Sequence, residues 1–337
     1  MIEMNVEEIK IWPKVELHVH LDTSLLKRTV DRLTNGISEA RLKTYFSLPE
    51  KCLDLHHFLS FVEPGIQLLQ TKKALEVAID ELVADQQREN VIYTEIRLAP
   101  ILHTRESMSH KEVVDVVCRA VEKAEKRYGV VVRQIHCTMR HFSKSESVET
   151  ATVALEYKRD GIVGFDLAGD EAGFLLDEHI EAFDMVHQAG LSATCHAGEA
   201  RGVDSINDAL DKLHVSRMGH GVRAIEDNVT IERLMNNGIH LEICPTSNIV
   251  IDVFENMSAH SIDQLYNAGV STSINTDGRG LFDTTLTNEY YKIAQVFGWE
   301  PKDFLKVNTM AVEAAFCDEK TKKRLSANLN TSMRYYL

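Results

Sequence analysis

The stretch VELHVHL at residues 15–21 is the first of eight short apolar runs, and it carries two histidines at alternate positions. Most of these runs are rich in β-branched residues and are bounded by turn-forming residues, which is typical of buried strands. Residues i and i+2 of a strand point to the same face, so His18 and His20 are predicted to lie side by side. The other runs are VIYTEIRL (91–98), VRQIHCT (132–138), IVGFDL (162–167), SATCH (192–196), RMGHGV (217–222), HLEIC (240–244) and STSIN (271–275).

Amphipathic helical patterns separate several of these runs, at residues 72–89, 112–127, 177–189 and 226–236. Strands that alternate with helices predict right-handed βαβ units and a parallel sheet. Eight strands match a closed TIM-type (β/α)8 barrel, and a doubly wound open sheet is the alternative. The first two runs are about 70 residues apart, so extra helices are predicted to be inserted after the first strand. No linker interrupts residues 1–337, which predicts a single domain.

Composition bounds the classes of partner. Of the 337 residues, 44% are apolar and 26% are charged, and the net charge is −14. Such an acidic surface repels phosphate backbones and anionic lipid, so we expect neither nucleic acid nor a membrane as a partner, and no patch indicates a protein partner. No apolar run reaches about 18 residues, so no membrane span is expected. The six cysteines form no CxxC pair, which favours reduced thiols in a cytoplasmic protein.

Three more candidate metal ligands follow predicted strands. His196 ends the fifth run, His220 lies in the sixth, and Asp277 follows the eighth. In a barrel, active sites are built at the carboxyl ends of the strands, where these side chains would converge with those of the first strand. Alone, the pair formed by His18 and His20 fits either metal ligation or hydrogen-bonded core histidines. Together, the histidines and the carboxylate predict a divalent-metal site suited to zinc.

Glu199 lies three residues after His196, in the sequence CHAGE. A carboxyl group beside a metal site that is not itself a ligand can transfer protons. The alternative is an acidic residue that stabilises a helix N-terminus. A dinucleotide-binding motif is a weaker interpretation of GHGVRA at 219–224, because its acidic residue, Glu242, lies inside a predicted strand. Phosphate-binding loops, GxSxG elbows and the HxE…PCxxC deaminase signature are absent from the sequence.

At these residues the chain resembles the adenosine deaminase family of metal-dependent amidohydrolases. The blocks that carry the resemblance are PKVELHVHLD (13–22), GFDLAGDE (164–171), CHAGE (195–199), GHGVRA (219–224), LEICPTSN (241–248) and NTDGRGLFDTTLTNEY (275–290). The resemblance implies zinc-dependent hydrolytic deamination of adenosine or 2′-deoxyadenosine to inosine or deoxyinosine and ammonia, in purine salvage. It also implies one zinc ion per chain and a small purine nucleoside as substrate.

The resemblance also implies a role for individual residues. Glu199 would protonate purine N1, and His220 would position and polarise the attacking water. Glu199 needs a raised pKa for this role, which a desolvated pocket can supply. The four residues that would hold the zinc are His18, His20, His196 and Asp277.

Substrate contacts are implied in the same way. Gly169 would present its backbone N–H to purine N3, and Asp22 would contact the ribose 5′-hydroxyl. The segment LHHFLSF at 55–61 resembles the hydrophobic lid of the family, in which Phe58 and Phe61 would cover the substrate.

One position departs from the family pattern. A second aspartate, which contacts purine N7, usually follows the metal-binding one, and this chain has Gly278 there. Arg279 follows and is predicted to bind N7 or an anionic group of a modified substrate, with a surface ion pair as the alternative. Alternative substrates are therefore another 6-aminopurine and N6- or 5′-modified adenosines. A non-catalytic purine-nucleoside binder is disfavoured, because every expected ligand and acid is present.

Overall fold

A ring of parallel strands forms the centre of the computed structural model, which describes residues 4–158 and 161–337. Strands that neighbour each other in the ring also follow one another along the sequence, as in consecutive βαβ units. The strands of this described part are β1 (Lys14–His20), β2 (Val91–Leu98), β3 (Val131–Met139), β4 (Ile162–Ala168), β5 (Ser192–Ala193), β6 (His196–Ala197), β7 (Arg217–His220), β8 (His240–Ile243) and β9 (Ser271–Ile274).

Backbone hydrogen bonds close the ring at two places. Strands β1 to β5 form one ladder and β6 to β9 form another. The Thr194 N–H donates to Phe165 O (2.9 Å) and the Gly219 N–H donates to Cys195 O (2.9 Å), so the fifth position joins β4 to β7. On the other side, the Asp277 N–H donates to His18 O (3.0 Å), which joins the end of β9 to β1. The predicted eight-position barrel is confirmed, with the fifth run split into β5 and β6, and the open sheet is wrong.

Helices surround this ring and confirm all four predicted helical segments. The pattern at 177–189 is a 3-10 turn (Asp177–His179) followed by a helix, and the pattern at 226–236 is helical from Asn228. The helices are α1 (Val6–Ile11), α2 (Lys27–Thr34), α3 (Glu39–Tyr45), α4 (Leu55–Leu59), α5 (Glu63–Leu68), α6 (Lys72–Arg88), α7 (His110–Tyr128), α8 (Lys144–Glu156), α9 (Ile180–Gln188), α10 (Val203–Asp208), α11 (Asn228–Asn236), α12 (Pro245–Val250), α13 (Ile262–Ala268), α14 (Leu286–Phe297), α15 (Pro301–Ala314) and α16 (Glu319–Met333).

The predicted insertion after the first strand consists of the four short helices α2 to α5, which precede the long barrel helix α6. Helix α4 begins at the N-cap Asp54, whose side chain accepts the His57 N–H at 2.7 Å. Its buried residues Leu55 and Phe58 pack in a hydrophobic cluster with residues that follow β8 and β9, including Ile251 and Phe282. The insertion therefore covers the carboxyl ends of the strands.

Paired charges fill the barrel interior below that mouth, where TIM barrels usually carry branched aliphatic side chains. Arg97 pairs with Asp166 (2.8 Å) and Glu242, and Arg217 pairs with Glu242 (2.7 Å) and Glu95 (2.6 Å). All five side chains are fully buried. We call these five residues the lumen network. Because each arginine contacts two carboxylates, each buried charge has a compensating partner.

Two further observations concern the cysteines and the helices. No disulfide bond joins the six cysteines, all of which lie in the described part of the chain. In the described part of the chain, no helix has both the length and the apolar character needed to cross a bilayer.

Candidate active site

The carboxyl ends of the strands bring five predicted site residues together. His18 and His20 come from β1, His196 from β6, His220 from β7, and Asp277 from the turn after β9. His20 Nε2 lies 3.3 Å from His18 Nε2 and 3.2 Å from His196 Nε2. Asp277 Oδ1 lies 3.6 Å from both His18 Nε2 and His20 Nε2. We call His18, His20, His196 and Asp277 the mouth cluster.

Carboxylates behind the mouth cluster fix the orientation of two of its imidazoles. His18 Nδ1 lies 3.0 Å from Glu242 Oε2, and His196 Nδ1 lies 3.1 Å from Asp166 Oδ2. Because a carboxylate only accepts, each Nδ1 carries the hydrogen, and each Nε2 directs a lone pair at the cluster centre. Lone pairs that face one another repel unless a cation lies between them.

The spacing within the cluster fits a metal ion. Two ligands of a tetrahedral zinc, each bonded at about 2.0–2.1 Å, are about 3.3–3.4 Å apart. The Nε2–Nε2 separations of 3.2 and 3.3 Å are close to that value. A set of three imidazoles and one carboxylate also has the chemistry that zinc prefers. The mouth cluster therefore fits the zinc ion that the sequence predicts.

The pKa shifts of His20 and Asp277 agree with metal binding, whereas that of His18 has the opposite direction. Burial and the charge of Arg97 lower the pKa of His18, but hydrogen bonds to Asp277 and Glu242 raise it overall. Burial lowers the pKa of His20 to about 3, although Asp277 opposes the shift. Burial alone would raise the pKa of Asp277, but the hydrogen bond and charge of His18 hold it far below its usual range. Ser247 Oγ donates to Asp277 Oδ2 at 2.7 Å and fixes the rotamer of the carboxylate. Neutral imidazoles and an ionised carboxylate are the forms that ligate metals.

Glu199 is held beside the cluster by the loop after β6. The carboxylate of Glu171 accepts the backbone N–H groups of four consecutive loop residues, Gly198 to Arg201, at 2.6–3.0 Å. The Glu199 side chain is 4% exposed. Burial, with repulsion from Asp277 and Glu171, raises its pKa well above the usual range. This direction favours the protonated form of Glu199, which can act as an acid.

A chain of hydrogen bonds that starts at the backbone sets the tautomer of His220. The Ile262 N–H donates to His260 Nδ1 (3.0 Å), so His260 Nε2 carries the hydrogen and donates to Asn248 Oδ1 (3.3 Å). The Asn248 amide group then donates to Glu199 Oε1 (3.0 Å) and to His220 Nδ1 (3.1 Å). His220 therefore carries its hydrogen on Nε2.

Backbone strain coincides with two of these side chains. His220 and Asp277 both have φ near +61°, a left-handed conformation that residues other than glycine seldom adopt. Such conformations cost about 1 kcal/mol or more and persist where surrounding structure enforces them, often in active sites. Here the strain turns each side chain toward the cavity at the barrel mouth.

A mostly apolar cavity opens directly onto the mouth cluster and Glu199. Asp22, Phe58 and Gly169, three of the predicted substrate contacts, line it, and Gly169 has φ of +101°. Burial raises the pKa of Asp22 to about 6. No lysine or arginine belongs to the cavity lining within the described chain, which consists of His20, Asp22, Thr23, Leu55, Phe58, Leu59, Val62, Ala99, Cys137, Met139, Ala168, Gly169, His196, Glu199, His220, Ser247, Ile251 and Asp277.

One predicted substrate contact, Arg279, is wrong. Arg279 is 1% exposed and lies outside the cavity, where its guanidinium contacts Glu16 (3.3 Å), Asp85 (3.0 Å) and Glu89. Its Nη1 and Nη2 groups donate to these three carboxylates, away from the cavity, so Arg279 is neither a substrate ligand nor a surface ion pair. Phe61 follows α4 and does not line the cavity. It packs against His57, with ring centroids 5.2 Å apart, and against the cluster that contains Phe58, so its place over the substrate stays a prediction.

Several residues of the site escaped the sequence reasoning. Glu242 and Asp166 orient the imidazoles, Asn248 links Glu199 to His220, and Glu171 holds the loop. An acidic residue in the middle of an apolar strand run was a usable signal for Glu242 and Asp166, since a buried carboxylate requires a partner. Asn248 and Glu171 lie in a helix and a loop, where the sequence carries no comparable signal.

Comparisons with known proteins agree with this geometry. A family model described as adenosine deaminase matches residues 13–332. An adenosine deaminase of Clostridium acetobutylicum is 31% identical over 335 residues, covering 97% of this chain and 100% of that protein. An adenine deaminase of Rhizobium etli is 34% identical over 328 residues, covering 94% and 98%. The crystal structure of an N6-mAMP deaminase of Arabidopsis aligns with a TM-score of 0.87 at 26% identity, covering 96% and 99%.

Proposed function

The chain belongs to the adenosine deaminase family, and from this premise we propose that it hydrolytically deaminates adenosine or 2′-deoxyadenosine. The observation that carries the proposal is the placement of a buried carboxyl group with a raised pKa, Glu199, beside the mouth cluster and at the wall of one cavity. Hydrolytic deamination needs an activated water and a proton donor on the same side of the purine ring. The whole chain is proposed to act as a single domain.

The mouth cluster is the proposed metal site, with one zinc ion per chain. Its three Nε2 atoms and Asp277 Oδ1 supply the donor atoms, and the carboxylates of Glu242 and Asp166 keep two of the imidazoles in the ligating tautomer. When bound, such an ion acts as a Lewis acid that lowers the pKa of a coordinated water toward neutrality.

Glu199 is the proposed acid for purine N1. As a nucleophile adds at C6, aromaticity is lost and N1 becomes more basic, so a proton donor stabilises the transition state more than the ground state. The Asn248 amide group donates to Glu199 Oε1, which leaves the other carboxyl oxygen to hold the proton. Glu171 keeps the loop, and with it this carboxyl group, in position.

His220 is the proposed positioning group for the attacking water. Its hydrogen lies on Nε2, so it donates to an oxygen atom rather than accepting from one. Burial, together with the charge of His18, keeps its pKa well below the usual range, so the ring is neutral in the free protein. A neutral donor can fix a water lone pair without repelling a nearby cation.

The cavity favours a nucleoside over a nucleotide. Its titratable lining includes the carboxyl groups of Asp22, Glu199 and Asp277, and its described lining offers no arginine or lysine to a phosphate. Asp22 is proposed to accept a hydrogen bond from the ribose 5′-hydroxyl. A 5′-phosphate at that place would be repelled by the Asp22 carboxylate. The N6-mAMP deaminase therefore resembles this chain in fold while differing in the proposed substrate.

A substrate panel with metal analysis tests the proposal. The purified protein is assayed for ammonia release and loss of purine absorbance with adenosine, 2′-deoxyadenosine, adenine, AMP and N6-methyl-AMP. We expect one zinc per chain, and kcat/KM for adenosine at least about 100-fold above that for AMP, the size of a like-charge contact in a buried site. Asp22→Asn should reduce that difference, because it removes the repelling charge. Preferred turnover of AMP or N6-methyl-AMP would refute the nucleoside assignment, and preferred turnover of adenine would move it to the free base.

A further inference from the structure

The hydroxyl group of Thr23, which faces the cavity, has no hydrogen-bond partner in the described structure. Its side chain lines the cavity and is 6% exposed, yet Oγ1 makes no hydrogen bond within the described structure. The backbone of this residue is firmly anchored: the Thr23 carbonyl accepts the N–H groups of Gly280 (3.1 Å) and Leu281 (2.9 Å), and the Thr23 N–H donates to Asp22 Oδ1 (2.9 Å). A fixed and buried hydroxyl without a partner is costly unless a ligand completes it.

This hydroxyl occupies the space next to Gly278. A β-carbon at position 278 would lie 2.6 Å from Thr23 Oγ1 and 2.7 Å from Thr23 Cβ. Rotation of the threonine side chain cannot relieve the second contact, because Cβ is fixed by the backbone. The glycine is therefore not an open space in the cavity: the side chain of Thr23 fills the region where a side chain at 278 would begin.

Thr23 and Glu199 approach the cavity from opposite sides. Thr23 follows β1, the first position of the eight-position ring, and Glu199 follows β6, the fifth position. These two positions are diametrically opposed in a closed eight-stranded barrel. In a purine, C6 is bonded to N1 on one side and to C5 on the other, and C5 is bonded to N7. When C6 faces the mouth cluster and N1 faces Glu199, N7 therefore faces the opposite side of the cavity.

We propose that the Thr23 hydroxyl donates a hydrogen bond to purine N7 and so sets, together with Glu199, the rotation of the ring in its plane. N7 of a neutral 6-aminopurine is an acceptor, and a hydroxyl is a donor that needs no prior protonation. The inference depends on the proposed function, since it takes the ring orientation from Glu199. It gives Thr23 a positioning and specificity role for purines with a nitrogen at position 7.

Two substrates and three forms of the protein test the contact. kcat/KM is measured for adenosine and 7-deazaadenosine, which has a carbon in place of N7, with the wild type, Thr23→Val and Thr23→Ser. Valine keeps the shape and removes the hydroxyl, whereas serine keeps the hydroxyl. We expect Thr23→Val to lower kcat/KM about tenfold for adenosine and less than twofold for 7-deazaadenosine. Thr23→Ser should stay within about threefold of the wild type on adenosine. Thermal unfolding of each variant confirms that it is folded.

The outcomes separate the inference from the function on which it depends. Equal losses on both substrates for Thr23→Val would show a purely structural role and overturn the inference, while deamination by the wild type would leave the function intact. A wild type that deaminates neither adenosine nor adenine would overturn the proposed function, and this inference with it. Where adenine is the better substrate, the pair adenine and 7-deazaadenine gives the same comparison.

Discussion

The mouth cluster and the lumen network lie in the same barrel but on different strands, the cluster on β1, β6 and the end of β9 and the network on β2, β4, β7 and β8. Both use buried titratable residues, yet their hydrogen-bonding arrangements are opposite. In the lumen network every arginine contacts two carboxylates, so the protein completes the set by itself. In the mouth cluster, His20 Nε2 faces His18 Nε2 at 3.3 Å and His196 Nε2 at 3.2 Å. Buried charges therefore indicate a ligand site only where the protein leaves their partners incomplete.

Glu242 connects the two regions. Its Oε1 accepts from Arg217, while its Oε2 accepts from Arg97 and from His18 Nδ1. Burial alone would raise the pKa of Glu242, but the two arginines hold it well below the usual range. The lumen network thus keeps Glu242 ionised, and the ionised carboxylate keeps the His18 lone pair directed at the cluster. Structure in one region sets the chemistry of the other.

Replacement of the acid in the mouth region should produce the largest functional effect with little change in stability. Glu199→Gln is expected to lower kcat for adenosine by about 10²–10⁴-fold, because the amide cannot supply the proton for N1. The free energy of unfolding should change by less than about 1 kcal/mol, since burial already favours the neutral carboxyl group and glutamine has its shape. Steady-state kinetics measure kcat, urea unfolding measures the stability, and zinc content shows whether the metal site is kept.

The matched control for this variant is Glu226→Gln, which removes an exposed carboxylate paired with Arg223 and should leave kcat unchanged.

The pH dependence of kcat gives an independent check of the role of Glu199. The active form carries the proton on Glu199, so kcat of the wild type should fall as the pH rises through the raised pKa. Near-normal turnover by Glu199→Gln would remove this residue from the mechanism.

The opposite pattern is expected where the protein completes its own charges. Arg279→Met leaves Glu16 and Glu89 buried without their cation, which should destabilise the fold by about 3–5 kcal/mol. The ratio of kcat/KM for adenosine to that for 7-deazaadenosine should not change, because Arg279 lies outside the cavity. Arg28→Met is the control: Arg28 shares Asp85 with Arg279 but is half exposed, so the loss should stay below about 1 kcal/mol.

Chemical denaturation of both arginine variants measures the difference. If Arg279→Met were as stable as Arg28→Met but changed the preference between the two purines, Arg279 would be a substrate contact after all. The distinction between self-completed and incomplete charge sets would then fail at this position.

The contrast between the regions also explains what the sequence could predict. The strand period places His18 and His20 on one face, and barrel topology brings His196 and Asp277 to the same end, so their meeting was predictable. Arg279 was misassigned because its three partners come from β1, α6 and the C-cap of α6, and no local pattern shows where a long side chain turns. The contact between Gly278 and the Thr23 side chain was equally hidden, since the two residues are distant in sequence.

A milder change at the edge of the mouth cluster should separate metal binding from folding. Ser247→Ala removes the hydrogen bond to Asp277 Oδ2, so the carboxylate loses part of its orientation while all four proposed ligands remain. We expect zinc affinity to fall about 10–100-fold, the usual effect of losing a hydrogen bond to a ligand. Chelator competition measures that affinity, and the apoprotein should unfold within about 1 kcal/mol of the wild type. A large loss of apoprotein stability with unchanged zinc affinity would show that the Ser247 hydrogen bond serves the fold, and the mouth cluster would then belong with the lumen network.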